Sequence, residues 1–191
     1  MSLSKEQVLE LMQRIEYRDD IPYFLKFVGL NGKMCELGVD KGKHLDYLRK
    51  KASPTELIGI DSWESFPKVW TQEEQDAKRE KVTDWFSQYG NTTIVHAKIE
   101  EQVNEYPDGY FDFIYLDSNH LYDPAVNDIS QWWPKVKSGG IFAGHDYIDT
   151  WRRGYHFEVF RAVDEFVAAK DIKKDLHITK ERFASWLILK D

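Results

Sequence analysis

Phe111-Asp112-Phe113-Ile114-Tyr115-Leu116-Asp117-Ser118-Asn119-His120 is the stretch that decides how the chain reads. The turn signal Pro107-Asp108-Gly109 opens it. A short apolar and aromatic run follows, the pattern of a buried strand. The run stops in an acid, a polar pair and a histidine. In an open parallel sheet, ligands sit beyond the carboxyl ends of the strands. A second strand pattern, Ile141-Phe142-Ala143-Gly144, stops the same way, in His145-Asp146-Tyr147. Two strand ends bearing Asp and His on one rim form a constellation that the rest of the chain has to explain.

Upstream, Lys33-Met34-Cys35-Glu36-Leu37 reads as a first strand after the turn Asn31-Gly32. A helical pattern through His44, Leu45, Leu48 and Arg49 follows, closed by Arg49-Lys50-Lys51 and stopped by Ser53-Pro54. Leu57-Ile58-Gly59-Ile60 is a second strand ending in Asp61, and Thr92-Thr93-Ile94-Val95-His96 a third. Between them, Ser65-Phe66-Pro67 reads as loop and Gln72 to Tyr89 as a charged helix. The N-terminal part, Ser4 to Tyr17, spaces Val8, Leu11, Met12 and Ile15 at helical intervals after a Ser4 cap, and Tyr23 to Val28 adds a short helix. These helices read as a cover for the sheet, or as a lid or dimer contact. Downstream, Asp123-Pro124 is expected to cap and open a helix that Ser138-Gly139-Gly140 closes. A loop through Gly154 precedes a helix carrying Val159, Ala162, Val163, Phe166 and Val167. Leu176–Thr179 and Ala184–Leu189 follow as strands too close for a parallel crossover, hence an antiparallel hairpin. The expected fold is α/β: a doubly wound, mostly parallel, seven-stranded sheet with a C-terminal antiparallel hairpin.

Composition sets the class. With 191 residues, 42% hydrophobic and 31% charged, the chain fits one globular domain spanning 1–191, with 1–30 as a helical cap and 63–90 as a helical insertion or lid. A net charge of −7 argues against nucleic acid and membrane surfaces as partners. The single Cys35 excludes an internal disulfide and fits a reducing cytosol. No stretch is apolar enough to span a bilayer, and Met1 to Arg18 is too polar for a secretory leader. A cytoplasmic location is therefore expected.

The chemistry starts at Glu36-x-Gly38-x-x-x-Gly42, a close-approach loop between strand and helix. Asp61 ends the next strand where such folds place the acid that binds ribose hydroxyls. The bland reading is a tight turn and a helix cap. The loop lacks the Gly-x-Gly-x-x-Gly spacing of pyrophosphate sites and the Gly-Lys-Ser/Thr of phosphate loops, leaving a nucleoside without phosphates. S-adenosylmethionine fits that description.

These motifs resemble the class I S-adenosylmethionine-dependent methyltransferases, most closely the small-molecule O-methyltransferase branch with the macrocin and mycinamicin sugar enzymes. Glu36-Leu37-Gly38-Val39-Asp40-Lys41-Gly42, Gly59-Ile60-Asp61-Ser62-Trp63 and Asp117-Ser118-Asn119-His120-Leu121-Tyr122 carry the resemblance, which runs from Met34 to Val167. It implies a Rossmann-like methyltransferase fold. It also implies that Glu36, Gly38, Gly42, Asp61, Ser62 and Asp117 hold the cofactor, with Lys98 and Ile99 against its adenine. Asp117, His145 and Asp146 align with metal-binding positions, for magnesium or another divalent ion, and His120 with a general base beside Asp117. Ser118 and His145 depart from the family pattern, and histidine suits softer ions than magnesium.

A neutral hydroxyl is a poor nucleophile, so it has to lose its proton to His120 or to acidify on a metal. The ordinary histidine pKa near 6.5 suits a base. Trp63, Phe66, Trp70, Trp85, Trp151 and Tyr155 are candidates for an aromatic pocket around a small-molecule acceptor. Trp132, Trp133 and Trp186 read as core. Two other functions remain open at this point: a binding protein that keeps the cofactor pocket without turnover, and a hydroxylase-like enzyme on the same scaffold.

Overall fold

The computed structural model describes residues 3–66, 69–152 and 154–191. Met1 and Pro67, named above, lie outside them. Five parallel strands alternate with helices: β1 (Lys33–Leu37), β2 (Glu56–Asp61), β3 (Thr92–His96), β4 (Phe111–Leu116) and β5 (Val136–Gly144). Two short strands, β6 (Thr150–Arg152) and β7 (Tyr155–Phe157), form a separate hairpin, and β8 (Leu176–Ile178) and β9 (Trp186–Leu189) complete the main sheet. The order is β3-β2-β1-β4-β5-β9-β8. The last strand inserts antiparallel between β5 and β8, so β8 forms the edge. The seven-stranded, mostly parallel sheet with its C-terminal antiparallel hairpin is the fold the alternation predicts.

The chain winds outward from β1 through β2 to β3, then crosses back to β4 on the other side of β1. The order therefore reverses between β1 and β4, and a crevice opens beyond their carboxyl ends. Every residue of β4 is buried, as the continuous apolar run requires for a strand covered on both faces. One face packs on α1 (Lys5–Met12), α2 (Ile21–Val28), α3 (Lys43–Ala52) and α4 (Gln72–Phe86). The opposite face packs on a short helix, α5 (Ile99–Gln102), with α6 (Tyr122–Trp132) and α7 (Val159–Ala169). Trp132 and Trp186 are fully buried there, and Trp133 packs beside them on Phe142 and Phe166.

Several boundaries differ from expectation. Ser4 caps α1 through a reciprocal box with Gln7, but the helix ends at Met12, and Ile15 reaches the core from the turn beyond it. α6 starts at Tyr122, with Leu121 at the cap position, so Asp123 lies inside the first turn. Gly139-Gly140 does not close that helix. It gives way at Trp133-Pro134, where proline has no N–H to continue the ladder. Gly139 instead has φ +75° within β5, beside the register shift against β4, and its N–H donates to the Lys190 carbonyl. The segment before α7, read as loop, contains the β6–β7 hairpin.

Gly38 follows β1 with φ +92°, and a Cβ there would collide with the Asp117 carbonyl. Gly29 closes α2 at φ +78° with open space around it. Gly38→Ala combines left-handed strain with a backbone clash, together roughly 2–5 kcal/mol. Thermal unfolding should show Gly38→Ala melting roughly 5–15 °C below the parent and Gly29→Ala only about 2–6 °C below. Equal losses would show that the β1–β4 approach is not the constraint.

Candidate active site

The loop after β1 is held from three sides. Gly38 N–H donates to the Ile60 carbonyl at 2.9 Å, and Asp117 N–H to the Leu37 carbonyl at 2.7 Å. The Asp61 carboxylate accepts from Val39 N–H and Asp40 N–H through Oδ2, and from Trp63 N–H through Oδ1, each at 2.8 Å. Asp61 thus locks the loop and the start of the next segment, and Oδ1 retains lone-pair capacity toward the crevice. Trp63 sits beneath this loop at φ 43°, buried, with Nε1–H donating to the Asp40 carbonyl at 2.9 Å.

The crevice is a cavity of about 1080 Å³. Single small-molecule sites run to roughly 1,000 Å³, so there is room for a nucleoside and a small acceptor together. Glu36, Gly38, Asp61, Ser62, Lys98, Ile99 and Asp117 all line it, as the resemblance implies. Two glycines need a different account. Gly38 is demanded by the Asp117 backbone, because the ends of β1 and β4 leave no space for a side chain. Gly42 does not line the cavity; it opens α3 at φ +70° and faces Phe86 and Val82 of α4.

Asp117 and His120 from the end of β4 meet His145 and Asp146 from the end of β5. His120 Nε2 lies 2.7 Å from Asp146 Oδ2 and 3.5 Å from Asp117 Oδ1. His145 Nδ1 lies 3.3 Å from Asp146 Oδ1 and 3.6 Å from Asp117 Oδ1. Asp146 takes φ 53°, a left-handed conformation that brings its carboxylate into this group. Burial alone would lower the pKa of His120, but the Asp117 and Asp146 carboxylates raise it from 6.5 to about 9. His145 is raised to about 9 by the same pair against the same burial penalty. Burial opposes ionisation of Asp146, yet the two imidazoles hold it at about 2. They hold Asp117 far below the carboxylate range. Without a further ligand, then, the two carboxylates favour the protonated imidazole of His120 at neutral pH.

The donor atoms of Asp117, His120 and Asp146 lie within 4.8 Å of one another. His120 Nε2, though close to Asp146, makes no aligned hydrogen bond. That arrangement fits a divalent cation, and the tight set contains His120 where the sequence pattern placed His145.

Aromatic side chains wall another side of the cavity. Phe157 of β7 stacks on His120, with centroids 4.5 Å apart, and Tyr155 meets Phe66 at 4.4 Å. Phe66, Trp70 and Tyr155 line the cavity as expected, and Trp63 supports its floor. Trp85 and Trp151 do not contribute. Trp85 lies on the outer side of α4, and Trp151 is 72% exposed and stacks on His156. Lining residues that sequence reasoning missed include Arg18, His44, Asp128 and Phe157. Asp128 is buried, which lifts its pKa to about 6, and accepts a hydrogen bond from Ser118 Oγ at 2.9 Å. It stands three residues after Ala125 on the buried face of α6, and an acid at that spacing was the available signal.

A family model described as a methyltransferase domain matches residues 35–147. A protein of Acanthamoeba polyphaga mimivirus is 26% identical over 169 residues, covering 84% of this chain and 66% of its own length. The chain thus spans just under two thirds of that relative. Among solved structures, spermidine synthase from Thermotoga maritima superposes with a TM-score of 0.57 at 16% identity, covering 96% of this chain and 60% of its own. Fibrillarin from Aeropyrum pernix, with natively bound S-adenosyl-L-methionine, gives 0.53 at 13% identity, covering 83% and 66%. At these identities the structural likeness concerns the fold. No helix among the described residues is long and apolar enough to cross a membrane.

The charge network has a signature in stability. Raised imidazole pKa values stabilise the fold fully below the unfolded value of 6.5, and the contribution is lost as the pH rises through about 9. Depressed carboxylates stabilise it above the ordinary value near 4, and that contribution is lost as the pH falls through about 2. The melting temperature of chelator-treated protein should therefore be highest between about pH 4 and 6.5 and decline toward pH 9. Asp146→Asn should remove most of that alkaline decline. An alkaline limb unchanged in the variant would mean that the imidazoles are not charged in the fold.

Proposed function

The chain belongs to the methyltransferase-domain family, and from that premise we propose that it is an S-adenosylmethionine-dependent enzyme that methylates a hydroxyl oxygen of a small molecule. The observation that carries this reading is the convergence of Asp117, His120 and Asp146 on the same cavity that the Gly38 loop and Asp61 open. A nucleoside cradle and a proton-handling cluster within one enclosure match the two needs of O-methylation. The cradle fits the cofactor: Asp61 offers a free lone pair to a ribose hydroxyl, and Ile99 is buried at the cavity wall beside Lys98. S-adenosylmethionine, when bound, supplies a methyl group on a positively charged sulfur.

Asp117 and Asp146 place negative charge where the acceptor loses its proton. A divalent ion held by Asp117, His120 and Asp146 would supply Lewis acidity there. His120 acts as general base only where its proton has been displaced, because the paired carboxylates otherwise keep it charged. Phe157 fixes the imidazole plane by stacking. Phe66, Trp70 and Tyr155 favour a ring-bearing acceptor, and the acidic surface favours a small molecule over nucleic acid.

Titration calorimetry with S-adenosylmethionine should give a saturable heat, and Asp61→Ala should weaken binding at least tenfold. Asp117→Asn and His120→Ala should bind within about threefold of the parent. Their release of S-adenosylhomocysteine with a panel of hydroxylated ring compounds should fall roughly 10²–10⁴-fold. Absence of any heat with the cofactor in the unaltered protein would refute the proposal, and unimpaired turnover in His120→Ala would remove the cluster from it.

A further inference from the structure

The described arginines fall into two groups. Arg14, Arg18, Arg49, Arg79 and Arg161 each lie 2.6–3.6 Å from a carboxylate oxygen. Arg152 and Arg182 have no carboxylate within ion-pair reach among the described residues, although the chain carries 33 acids against 26 lysines and arginines. Both guanidiniums sit instead on one ring, Phe183, at 5.1 and 5.5 Å from its centroid. Arg152 and Phe183 line the cavity, and Arg182 is the exposed neighbour of Phe183 in the chain. Two like charges gathered at one ring repel, and both gain from an anion placed beside it.

The β6–β7 pairing sets Arg152 opposite Tyr155 and Thr150 opposite Phe157, with Trp151 opposite His156 between them. Side chains alternate across a strand, so Arg152, Tyr155 and Phe157 share one face of the hairpin, and Trp151 and His156 the other. The first face runs from Phe157, stacked on His120, past Tyr155, against Phe66, to Arg152. Phe157 and the Arg152–Tyr155 pair stand two residues apart along the strand, about 7 Å. That is the span of one substituted six-membered ring. A ring held there presents one edge to the cluster at the ends of β4 and β5 and the opposite edge to Arg152. The two ends differ in the charge they accept. Asp117 and Asp146 repel an anion, whereas Arg152 attracts one and offers it a fork of N–H donors.

We propose that Arg152, backed by Phe183 and Arg182, binds an oxyanion carried by the acceptor, a carboxylate or a phosphate, across the ring from the hydroxyl that is methylated. The inference rests on the small-molecule O-methylation reading and gives it a substrate class: ring acceptors with one acidic substituent. Arg152 then determines specificity and takes no part in the methyl transfer.

The test reads acceptor binding by calorimetry on protein saturated with S-adenosylhomocysteine, whose own titration checks the parent reading first. Two matched pairs report on the anion: 3,4-dihydroxybenzoate with 3,4-dihydroxybenzamide, and glucose 6-phosphate with glucose. The charged member of at least one pair should bind roughly tenfold or more tightly at low salt, and the pair that shows this identifies the anion. The preference should shrink as salt is added, because the arginine is exposed. Arg152→Gln should cut it to less than about twofold while leaving the neutral compound and S-adenosylhomocysteine unchanged, since an exposed side chain without a carboxylate partner contributes little to the fold. Arg14→Gln removes the same charge from another part of the surface and should leave the preference intact. Equal binding within both pairs, binding of no acceptor, a preference that survives Arg152→Gln, or the same loss in Arg14→Gln would overturn the anion anchor and leave the cofactor reading standing. Absence of heat with S-adenosylhomocysteine would overturn both.

Discussion

The ends of β1 and β4 approach so closely that no side chain fits between them. Gly38 leaves β1 at φ +92°, with the Asp117 carbonyl occupying the place of its missing Cβ, and Asp117 N–H in turn donates to Leu37. This contact sits where the winding order reverses, so it fixes both the floor of the crevice and the origin of its two chemically distinct walls. Asp61 extends the same restraint to the third strand end by taking three backbone N–H groups from the loops on either side. The cradle is thereby rigid before any ligand arrives, which lowers the ordering cost of binding.

Electrostatics divides the cavity. At the ends of β4 and β5, two carboxylates and two imidazoles share a partly buried space, and each group's ionised form depends on the others. The balance is a mutual one: carboxylates raise the imidazoles, imidazoles depress the carboxylates, and burial opposes both. On the β1 side burial wins instead. It pushes Glu36 up and His44 down, each toward its neutral form. Groups of the same types thus behave oppositely a short distance apart, because only one set has enough opposite charge facing it.

Elements peripheral to the sheet complete both walls. The turn between α1 and α2 brings in Arg18, anchored to the C-terminal hairpin through Glu181 and through Lys180, which contacts Glu16. The β6–β7 hairpin brings Phe157 onto His120 and Tyr155 onto Phe66. Neither belongs to the repeating strand–helix unit. Each adds side chains that adjust a cavity whose backbone is set elsewhere, which is how one fold comes to serve different acceptors.

Periodicity and punctuation determined most of the architecture from the residues alone: the parallel strands, the helices between them, the antiparallel end, and the strand termini bearing Asp117, His120, His145 and Asp146. Those features are local, because a strand's burial pattern and a loop's glycines are written in neighbouring residues. The rim position of both Asp–His pairs followed from them, since chain direction is shared in a parallel sheet. What remained undetermined depended on distance in space. Gly42 and Gly38 look alike in sequence, yet one faces α4 and the other a strand end. Trp85 and Trp70 look alike, yet only one reaches the cavity. Arg18 lies far from every motif, and its place on the cavity wall depends on where α2 packs. The pKa of His120 departs from that of an ordinary imidazole because Asp117, three positions away, is joined by Asp146, 26 positions away, and only the folded chain sets that second separation to 2.7 Å.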